Sequence, residues 1–292
     1  MEADLHMHTV ASDGTDTLEE RIDQASEKDL DAIAITDHNT VNDDLEGRFK
    51  VDEETGLNII TGAEIECRVQ GQSIEILSYF LDPASGNLQD LLTEIYEMRC
   101  ERLEDIIKNL NEEISYELTR KEVFEHVTAN PGRIHIAQAM VEAEDLEEVE
   151  TVQDAFRGYI GSDRPAYISA PKKDAGEVIS TVLESGGVPV LAHPGRDLGD
   201  EKAKQVIREL AEHGLKGLEV EYSWIKARKK GFGVNFGRER TGRLAEAFDL
   251  VETGGSDCHG SGAQRFLIGS VKAPEDAVGQ LADLSDLQQS PF

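Results

Sequence analysis

Short apolar runs alternate with amphipathic segments over most of the chain. The runs "DAIAIT", "LNIITGAEI" and "VPVLAH" are bounded by polar residues, and segments such as "TDTLEERIDQASEKDL" and "EKAKQVIRELAEHG" carry apolar side chains at helical spacing. Apolar runs separated by helices are typical of parallel strands that are buried on both faces. About seven such strand–helix units predict an α/β fold and favour a closed barrel of parallel strands over an open sheet.

The pattern changes in the segment from 83 to 165. Here "LQDLLTEIYEMRCERLEDIIKNLNEE" predicts a long amphipathic helix, and "TRKEVFEHV" and "RIHIAQAMVEAEDL" predict shorter ones, with no strand pattern between them. We therefore expect a helical insertion over residues 83–165. The barrel itself is expected to consist of residues 1–82 and 166–292.

The composition narrows the class of protein. An apolar fraction of 39% is sufficient for a large core, and no apolar run reaches the roughly 18 residues that a membrane helix requires. The chain opens on acidic residues rather than on a basic and apolar leader, and its three cysteines do not make a disulfide framework. We expect a cytoplasmic protein with no membrane contact.

The charge is strongly acidic. Asp and Glu outnumber Lys and Arg by 59 to 29, which gives a net charge of −30, and the acidic residues are spread along the chain rather than gathered in one tail. A dispersed acidic excess is typical of surfaces that keep proteins soluble in concentrated salt. We interpret it as a sign of a halophilic source.

Histidines and carboxylates recur at the ends of predicted strands. In "DLHMH", His6 and His8 are one residue apart, so a strand directs both side chains to the same face, and "SDCHG" repeats this spacing with Asp257 and His259. Because the carboxyl ends of parallel barrel strands converge on one face, such side chains are expected to cluster there. Zn, Mn and Fe are bound by imidazoles and carboxylates. The candidate ligands, sufficient for two ions with room for a third, are His6, His8, Asp13, His38, Glu64, His193, Asp257 and His259.

Five motifs in order resemble the PHP (polymerase and histidinol phosphatase) superfamily: "DLHMHTVASDG", "AITDHNT", "GAEIE", "AHPGR" and "GGSDCHG". The resemblance implies a distorted seven-stranded (β/α)7 TIM-like barrel with two or three divalent ions, Mn, Zn or Fe with Mg as an alternative, held by those eight residues. In "GRIHIAQAM", His135 matches a further ligand of the branch that contains 3′,5′-bisphosphonucleotide phosphatases and 5′-3′ exoribonucleases. Glu75, a further candidate ligand, stands where a histidine is expected. A carboxylate can bind a metal but favours harder ions, which leaves the identity and occupancy of one metal position open.

This resemblance implies a metal-dependent phosphoesterase in which metal-activated hydroxide attacks phosphate esters of nucleotides or of short 5′-phosphorylated RNA. Three alternatives stay open: a histidinol-phosphatase-like phosphomonoesterase, a non-catalytic metal-binding PHP module, and an acidic mimic of nucleic acid. We expect no stable nucleic-acid partner, and the sequence leaves the oligomeric state undecided.

Further residues are candidates for substrate binding and catalysis. Asp37 is expected to orient a ligand histidine, and Arg196 to attract substrate phosphate and act in catalysis. Between Trp224 and Arg243, seven basic residues accompany one acidic residue. The expected phosphate-binding side chains are Arg196, Lys226, Arg228, Lys229, Lys230 and Arg133.

The dispersed charge predicts a response to salt. Because salt screens repulsion between surface carboxylates, the midpoint of thermal unfolding should rise between low and molar KCl. Circular dichroism during heating checks this. A midpoint that stays constant or falls would contradict the halophilic interpretation.

Overall fold

The structure, a computed structural model, describes residues 1–127, 130–143, 146, 148–229, 231, 233–262 and 266–287. Its strands are β1 Ala3–Met7, β2 Ala32–Ile35, β3 Phe49–Val51, β4 Asn58–Val69, β5 Gln72–Tyr79, β6 Lys173–Asp174, β7 Val188–Leu191, β8 Gly217–Glu221 and β9 Val251–Gly254. Its helices are α1 Leu18–Glu27, α2 Gly86–Leu110, α3 Arg120–Phe124, α4 Arg133–Glu142, α5 Val152–Ala155, α6 Ala175–Glu184, α7 Pro194–Asp197, α8 Asp200–His213, α9 Trp224–Lys229, α10 Arg238–Phe248 and α11 Ala277–Leu284. A π-helical turn at Phe156–Ile160 follows α5.

Seven strands form the path of the barrel among the described residues. Their order is β1-β2-β4-β5-β7-β8-β9, and the short strands β3 and β6 both pair with β4. The two ends of this path meet just after β9, where the Asp257 amide donates to the His6 carbonyl and the His8 amide to the Cys258 carbonyl, both at 2.9 Å. The expected distorted seven-stranded barrel is confirmed.

Among the seven strands of the barrel path, one runs antiparallel to its neighbours. β5 is antiparallel to both β4 and β7, whereas the sequence pattern indicated parallel strands throughout. Gln70 and Gly71, with φ of 48° and 74°, form the two-residue connection between β4 and β5. Because a parallel connection needs a crossover of about a dozen residues or more, a turn this short gives an antiparallel pair. The prediction of an all-parallel barrel was therefore wrong at β5.

The first strand is irregular. The pairing of β1 with β2 shifts register between Asp4 and Met7. As a result, Leu5 packs with the apolar residues of β2, β7 and α11, whereas Met7 packs with α1. Strict two-residue alternation therefore does not hold along this strand, although His6 and His8 still lie together, with ring centroids 5.3 Å apart.

The chain divides into two compact units, residues 1–92 with 172–292, and residues 93–171. The second unit has its own apolar core, to which Leu103 and Ile106 of α2 and Ile136 and Met140 of α4 contribute. Helices thus lie in the segment where the sequence predicted them. The predicted limits of the two domains stay a prediction. Among the described residues, no helix combines the length and apolar composition needed to cross a membrane.

A buried arginine on α1 ties together two loops that carry predicted ligands. Arg21 is fully buried, and its Nε and Nη2 donate to the His8 carbonyl at 3.1 and 2.7 Å, while Nη2 also donates to the Cys258 carbonyl at 3.3 Å. Its Nη1 lies 3.4 Å from Asp16, whose carboxylate accepts the Ser261 amide. One guanidinium therefore satisfies backbone carbonyls at both ends of the barrel path.

Removing this guanidinium should destabilise the protein strongly. Arg21→Met leaves the buried His8 carbonyl without its side-chain donor and removes the positive charge beside the buried Asp16 carboxylate, at an expected cost of about 3 kcal/mol in the free energy of unfolding. Urea unfolding of the metal-free protein at fixed salt measures it. The control is Arg243→Met, which removes an exposed i,i+4 pair with Glu239 and should change stability little. Equal losses in the two variants would contradict the assignment.

Candidate metal centre

Histidine and carboxylate side chains from most of the barrel strands meet at one cleft of about 440 Å³. The cleft is lined by Asp13, His38, Glu64, Glu75, Arg196, Gly233, Asp257 and His259. Three further histidines lie behind this lining, each almost completely buried: His6 on β1, His8 directly after β1, and His193 after β7. The structure thus brings together the eight ligands expected from strand ends, and Glu75 with them.

Glu64 lies between the histidines. Its Oε2 is 3.4 Å from His6 Nε2, 3.5 Å from His8 Nε2 and 3.2 Å from His38 Nδ1. Its Oε1 is 3.1 Å from His193 Nε2. The two oxygens of one carboxylate therefore face separate sets of imidazoles, which is the geometry of a bridging ligand.

Two aspartates complete the group. Asp257 Oδ1 lies 3.3 Å from His8 Nε2 and 3.4 Å from His259 Nδ1. Asp13 Oδ2 lies 3.3 Å from His259 Nε2, and its Oδ1 is 3.9 Å from His38 Nε2. Asp13, which follows the first strand, therefore contacts His259, as does Asp257, which follows the last strand.

Several imidazole nitrogens in this cluster are buried without a hydrogen-bond partner. They are His6 Nε2, both ring nitrogens of His8, His38 Nδ1 and His259 Nε2. Buried polar atoms without partners are costly, and these lie among carboxylate oxygens at spacings suited to a shared ion. Imidazole with carboxylate is the donor set of Zn, Mn and Fe sites. The residues present therefore fit divalent metal ions.

The charges in the cluster shift its pKa values in opposite directions. Burial alone would raise the pKa of Glu64, but His6 and His38 hold it well below its usual range. Burial and the neighbouring His259 and His38 lower the pKa of His8 to about 4. Carboxylates raise the pKa of His6 and His38 despite burial.

His193 also favours its protonated form. Burial and Arg196 oppose the protonated ring, but Asp197 and Glu64 outweigh them and raise the pKa of His193 to about 10. In the absence of metal, the raised pKa values of His6, His38 and His193 favour the protonated rings, and a metal ion has to displace these protons.

Two acidic residues that the sequence analysis missed orient these histidines. Glu219 on β8 is fully buried; its Oε1 lies 2.9 Å from His6 Nδ1, and its Oε2 accepts the His193 amide at 2.8 Å. Asp197 lies 3.1 Å from His193 Nδ1. Such contacts turn the opposite ring nitrogen toward the cluster. The available signals were a glutamate inside the apolar strand "GLEVEY" and an aspartate four residues after His193.

Two residues of the cluster adopt backbone conformations that are rare for residues other than glycine. His193 has φ of 22° and Asp257 has φ of 56°. Left-handed backbone costs free energy and persists where the surrounding structure enforces it. The backbone bonds of Asp257 to β1 and of His193 to Glu219 supply that constraint.

Asp37 is bonded to the loop that follows β1. Its Oδ1 accepts from the Thr9 amide at 2.7 Å and from Ser12 Oγ at 2.6 Å, and its Oδ2 accepts from Thr9 Oγ1 at 2.7 Å. These bonds shape the segment between His8 and Asp13. The positioning role of Asp37 stays a prediction. Asp37 would act on the neighbouring His8 and Asp13 through its hydrogen bonds to this loop.

Glu75 and Arg196 form an ion pair at the cleft. Arg196 Nη2 donates to Glu75 Oε2 at 2.6 Å, and the same oxygen lies 3.3 Å from His193 Nε2. Burial and the carboxylates of Glu64 and Asp197 raise the pKa of Glu75 to about 7. The residue that replaces the expected histidine is thus bound to an arginine as well as facing a ligand histidine.

The two candidates from the insertion lie in the second unit. Arg133 donates to the Ile160 carbonyl at 2.7 Å, and its guanidinium lies over the rings of Phe156 and Tyr167. Nδ1 of the buried His135 accepts the Gly132 amide at 3.0 Å. The ligand role of His135 and the phosphate-binding role of Arg133 stay predictions.

The basic stretch divides into paired and exposed residues. Arg238 pairs with Glu221, and Arg240 pairs with Asp200. Lys226 and Lys229 are exposed on α9. Lys230 and the side chain of Arg228 lie outside the described residues.

A family model matches the chain over residues 4–221, and it describes the PHP domain. This span covers most of the barrel strands described above. The chain belongs to the PHP domain family.

Relatives of this PHP chain with assigned activities are similar over most of its length. The 5′-3′ exoribonuclease Rnm of Salmonella typhimurium is 30% identical over 225 residues, 74% of each chain. The 3′,5′-nucleoside bisphosphate phosphatase of Chromobacterium violaceum is 28% identical over 221 residues, 74% of this chain and 75% of that one.

A solved structure shows the same fold. A protein of Bifidobacterium adolescentis, assigned as a metal-dependent phosphoesterase, superimposes with a TM-score of 0.75 at 28% identity. The match covers 98% of this chain and 97% of the other. The PHP fold therefore extends over nearly the whole chain.

Metal binding should release protons. Because the pKa values of His6, His38 and His193 are raised, their protonated forms are favoured, and ions that bind these rings displace protons. Affinity for Mn²⁺ should therefore rise between about pH 6 and pH 8, roughly tenfold per pH unit for each proton released. Calorimetric titration in buffers of different ionisation enthalpy counts these protons.

The control is His213→Ala, which removes a histidine at the end of α8 and should leave the proton count unchanged. Heats that do not depend on the buffer would contradict protonated ligands.

Proposed function

We propose that this chain hydrolyses phosphate esters of nucleotides or of short 5′-phosphorylated RNA with the help of divalent metal ions. The observation that carries the proposal is the group of buried imidazole nitrogens without partners that surrounds the Glu64 carboxylate. Membership of the PHP domain family and relatives named as phosphoester hydrolases support a metal-dependent phosphoester hydrolase.

Divalent ions, when bound, lower the pKa of water toward neutrality and neutralise charge on phosphoryl oxygens. Glu64 and Asp257 supply the carboxylates that would hold these ions among the histidines. Tyr222 Oη donates to Asp257 Oδ2 at 2.8 Å, which fixes the carboxylate in place. Arg196, about a quarter exposed in the cleft wall, directs positive charge toward a substrate phosphate.

Nucleotide and RNA substrates are favoured by the names of the relatives, an exoribonuclease and a bisphosphate phosphatase. Lys226 and Lys229, exposed on α9, are proposed to attract the substrate's phosphates, as are Arg228, Lys230 and Arg133. Asp37 and His135 keep their proposed positioning and ligand roles. We also propose Mn, Zn or Fe as the ion, a cytoplasmic location and a halophilic source.

Chelation should abolish hydrolysis, and Mn²⁺ should restore it. Phosphate release from 3′,5′-bisphosphoadenosine, release of nucleotides from short 5′-phosphorylated RNA, and phosphate release from histidinol phosphate should be measured side by side. We expect turnover of at least one of the first two.

His8→Ala should lower kcat/KM by about 100-fold or more, because it removes a ligand between Glu64 and Asp257.

His213→Ala should keep wild-type kcat/KM, since this histidine lies on α8 outside the cluster. Full activity after exhaustive chelation would refute the metal mechanism. Hydrolysis of histidinol phosphate alone would favour the histidinol-phosphatase alternative, and metal binding without turnover of any of the three would favour a non-catalytic module.

A further inference from the structure

The ligand atoms of the cluster form more than one group. One group contains His8, Asp13, His38 and His259, and a second contains His6, His8 and Asp257. A third set faces the other side of the Glu64 carboxylate. There, His193 Nε2 lies 3.1 Å from Glu64 Oε1 and 3.3 Å from Glu75 Oε2.

The third set differs from the first two because a protein cation already touches it. Arg196 Nη2 lies 2.6 Å from Glu75 Oε2, which is the oxygen that faces His193. Its Nε lies 3.2 Å from Asp197 Oδ1, and its Nη1 lies 3.7 Å from Asp257 Oδ2. One guanidinium therefore contacts three carboxylates around this position.

The backbone holds Arg196 close to the cluster. Arg196 lies on α7, three residues after His193, and its amide donates to the His193 carbonyl at 2.8 Å. The side chain therefore starts from the same turn as the ligand that it approaches. Glu75, on the neighbouring strand β5, presents the carboxylate that a guanidinium binds with charge-assisted hydrogen bonds, which a neutral imidazole there would not provide.

We propose that this centre binds two divalent ions and that Arg196, paired with Glu75, supplies the positive charge at the third position. This inference rests on the proposed function. A divalent ion bound to Glu75 Oε2 and His193 Nε2 would compete with the guanidinium for the same oxygen and would be repelled by its charge. Arg196 thus excludes a third ion from the set formed by Glu64, Glu75 and His193. Its partly exposed side chain leaves this fixed charge facing the cleft.

The test is the number of ions bound by the full-length protein. Wild type and variants are saturated with Mn²⁺ and freed of excess ion by gel filtration, and the metal content is measured by mass spectrometry. Wild type should hold two ions per chain. Arg196→Gln removes the competing cation, and Glu75→His replaces its partner with an imidazole, so at least one of these variants should hold three.

Arg238→Gln is the matched control, because it removes an arginine–glutamate pair, with Glu221, outside the cleft lining. This variant should hold two ions. A wild-type count other than two, or two ions in both cleft variants, would overturn the inference. An anomalous-difference map at the Mn edge adds a check that needs no variant, because a peak between Glu75 and His193 in the wild type would also overturn it.

Different results would contradict the proposed function and the inference about Arg196. Three ions in an active, chelator-sensitive wild type would overturn the inference that Arg196 takes the place of a third ion. The same result would still support the proposal of a metal-dependent hydrolase. Two ions in a protein that hydrolyses no phosphate ester would contradict the proposed function and support the assignment of Arg196.

Discussion

The burial of the Glu64 carboxylate among four histidines is the constraint on which the rest of this structure depends. Desolvation alone would make each of these groups unfavourable, and only mutual charge or a bound cation compensates for it. The distances of 3.1 to 3.5 Å around Glu64 show that the barrel holds the side chains close enough for both. The surrounding structure therefore has to stop these groups from moving apart.

Several buried polar contacts meet that requirement, and they come from parts of the chain far apart in sequence. Arg21 binds carbonyls of the segments that carry His8 and Asp257. Glu219 contacts both the His6 ring and the His193 backbone. Such residues can influence metal binding without contacting the substrate. They fix the orientation of imidazoles whose free nitrogens face the cleft, and small displacements of such nitrogens weaken metal binding.

The pairing of Glu75 with Arg196 shows how one position can alter such a centre while the fold stays the same. A carboxylate in place of an imidazole adds a negative charge beside His193, and a nearby arginine can neutralise it without an ion. Arginine is always charged and cannot leave the site as an ion can. A fixed cation therefore makes part of the charge of the centre independent of metal supply, and it keeps positive charge in the cleft.

The sequence by itself determined the barrel class and which histidines and carboxylates come together at one cleft. Strand-end histidines and carboxylates such as His38 and Asp257 could be recognised because strand periodicity and converging strand ends are local or topological regularities. The antiparallel β5 was missed, although the short connection at Gln70 and Gly71 is itself visible in the sequence. The register shift in β1 could not be recognised in the sequence, because it depends on the pairing of β1 with β2.

Only the tertiary structure decided the roles of Arg21, Glu219, Asp197 and the Glu75–Arg196 pair. Arg21, Glu219 and Asp197 are ordinary charged residues in their local context, and their importance comes from burial and from partners far away in the sequence, such as Cys258 for Arg21. The sequence singled out Glu75 and Arg196 individually, but it did not show that they pair. The local pattern of apolar and polar residues indicates which side chains share a face of a strand or helix. Desolvation and charge pairing, in contrast, depend on all the neighbours that folding brings together.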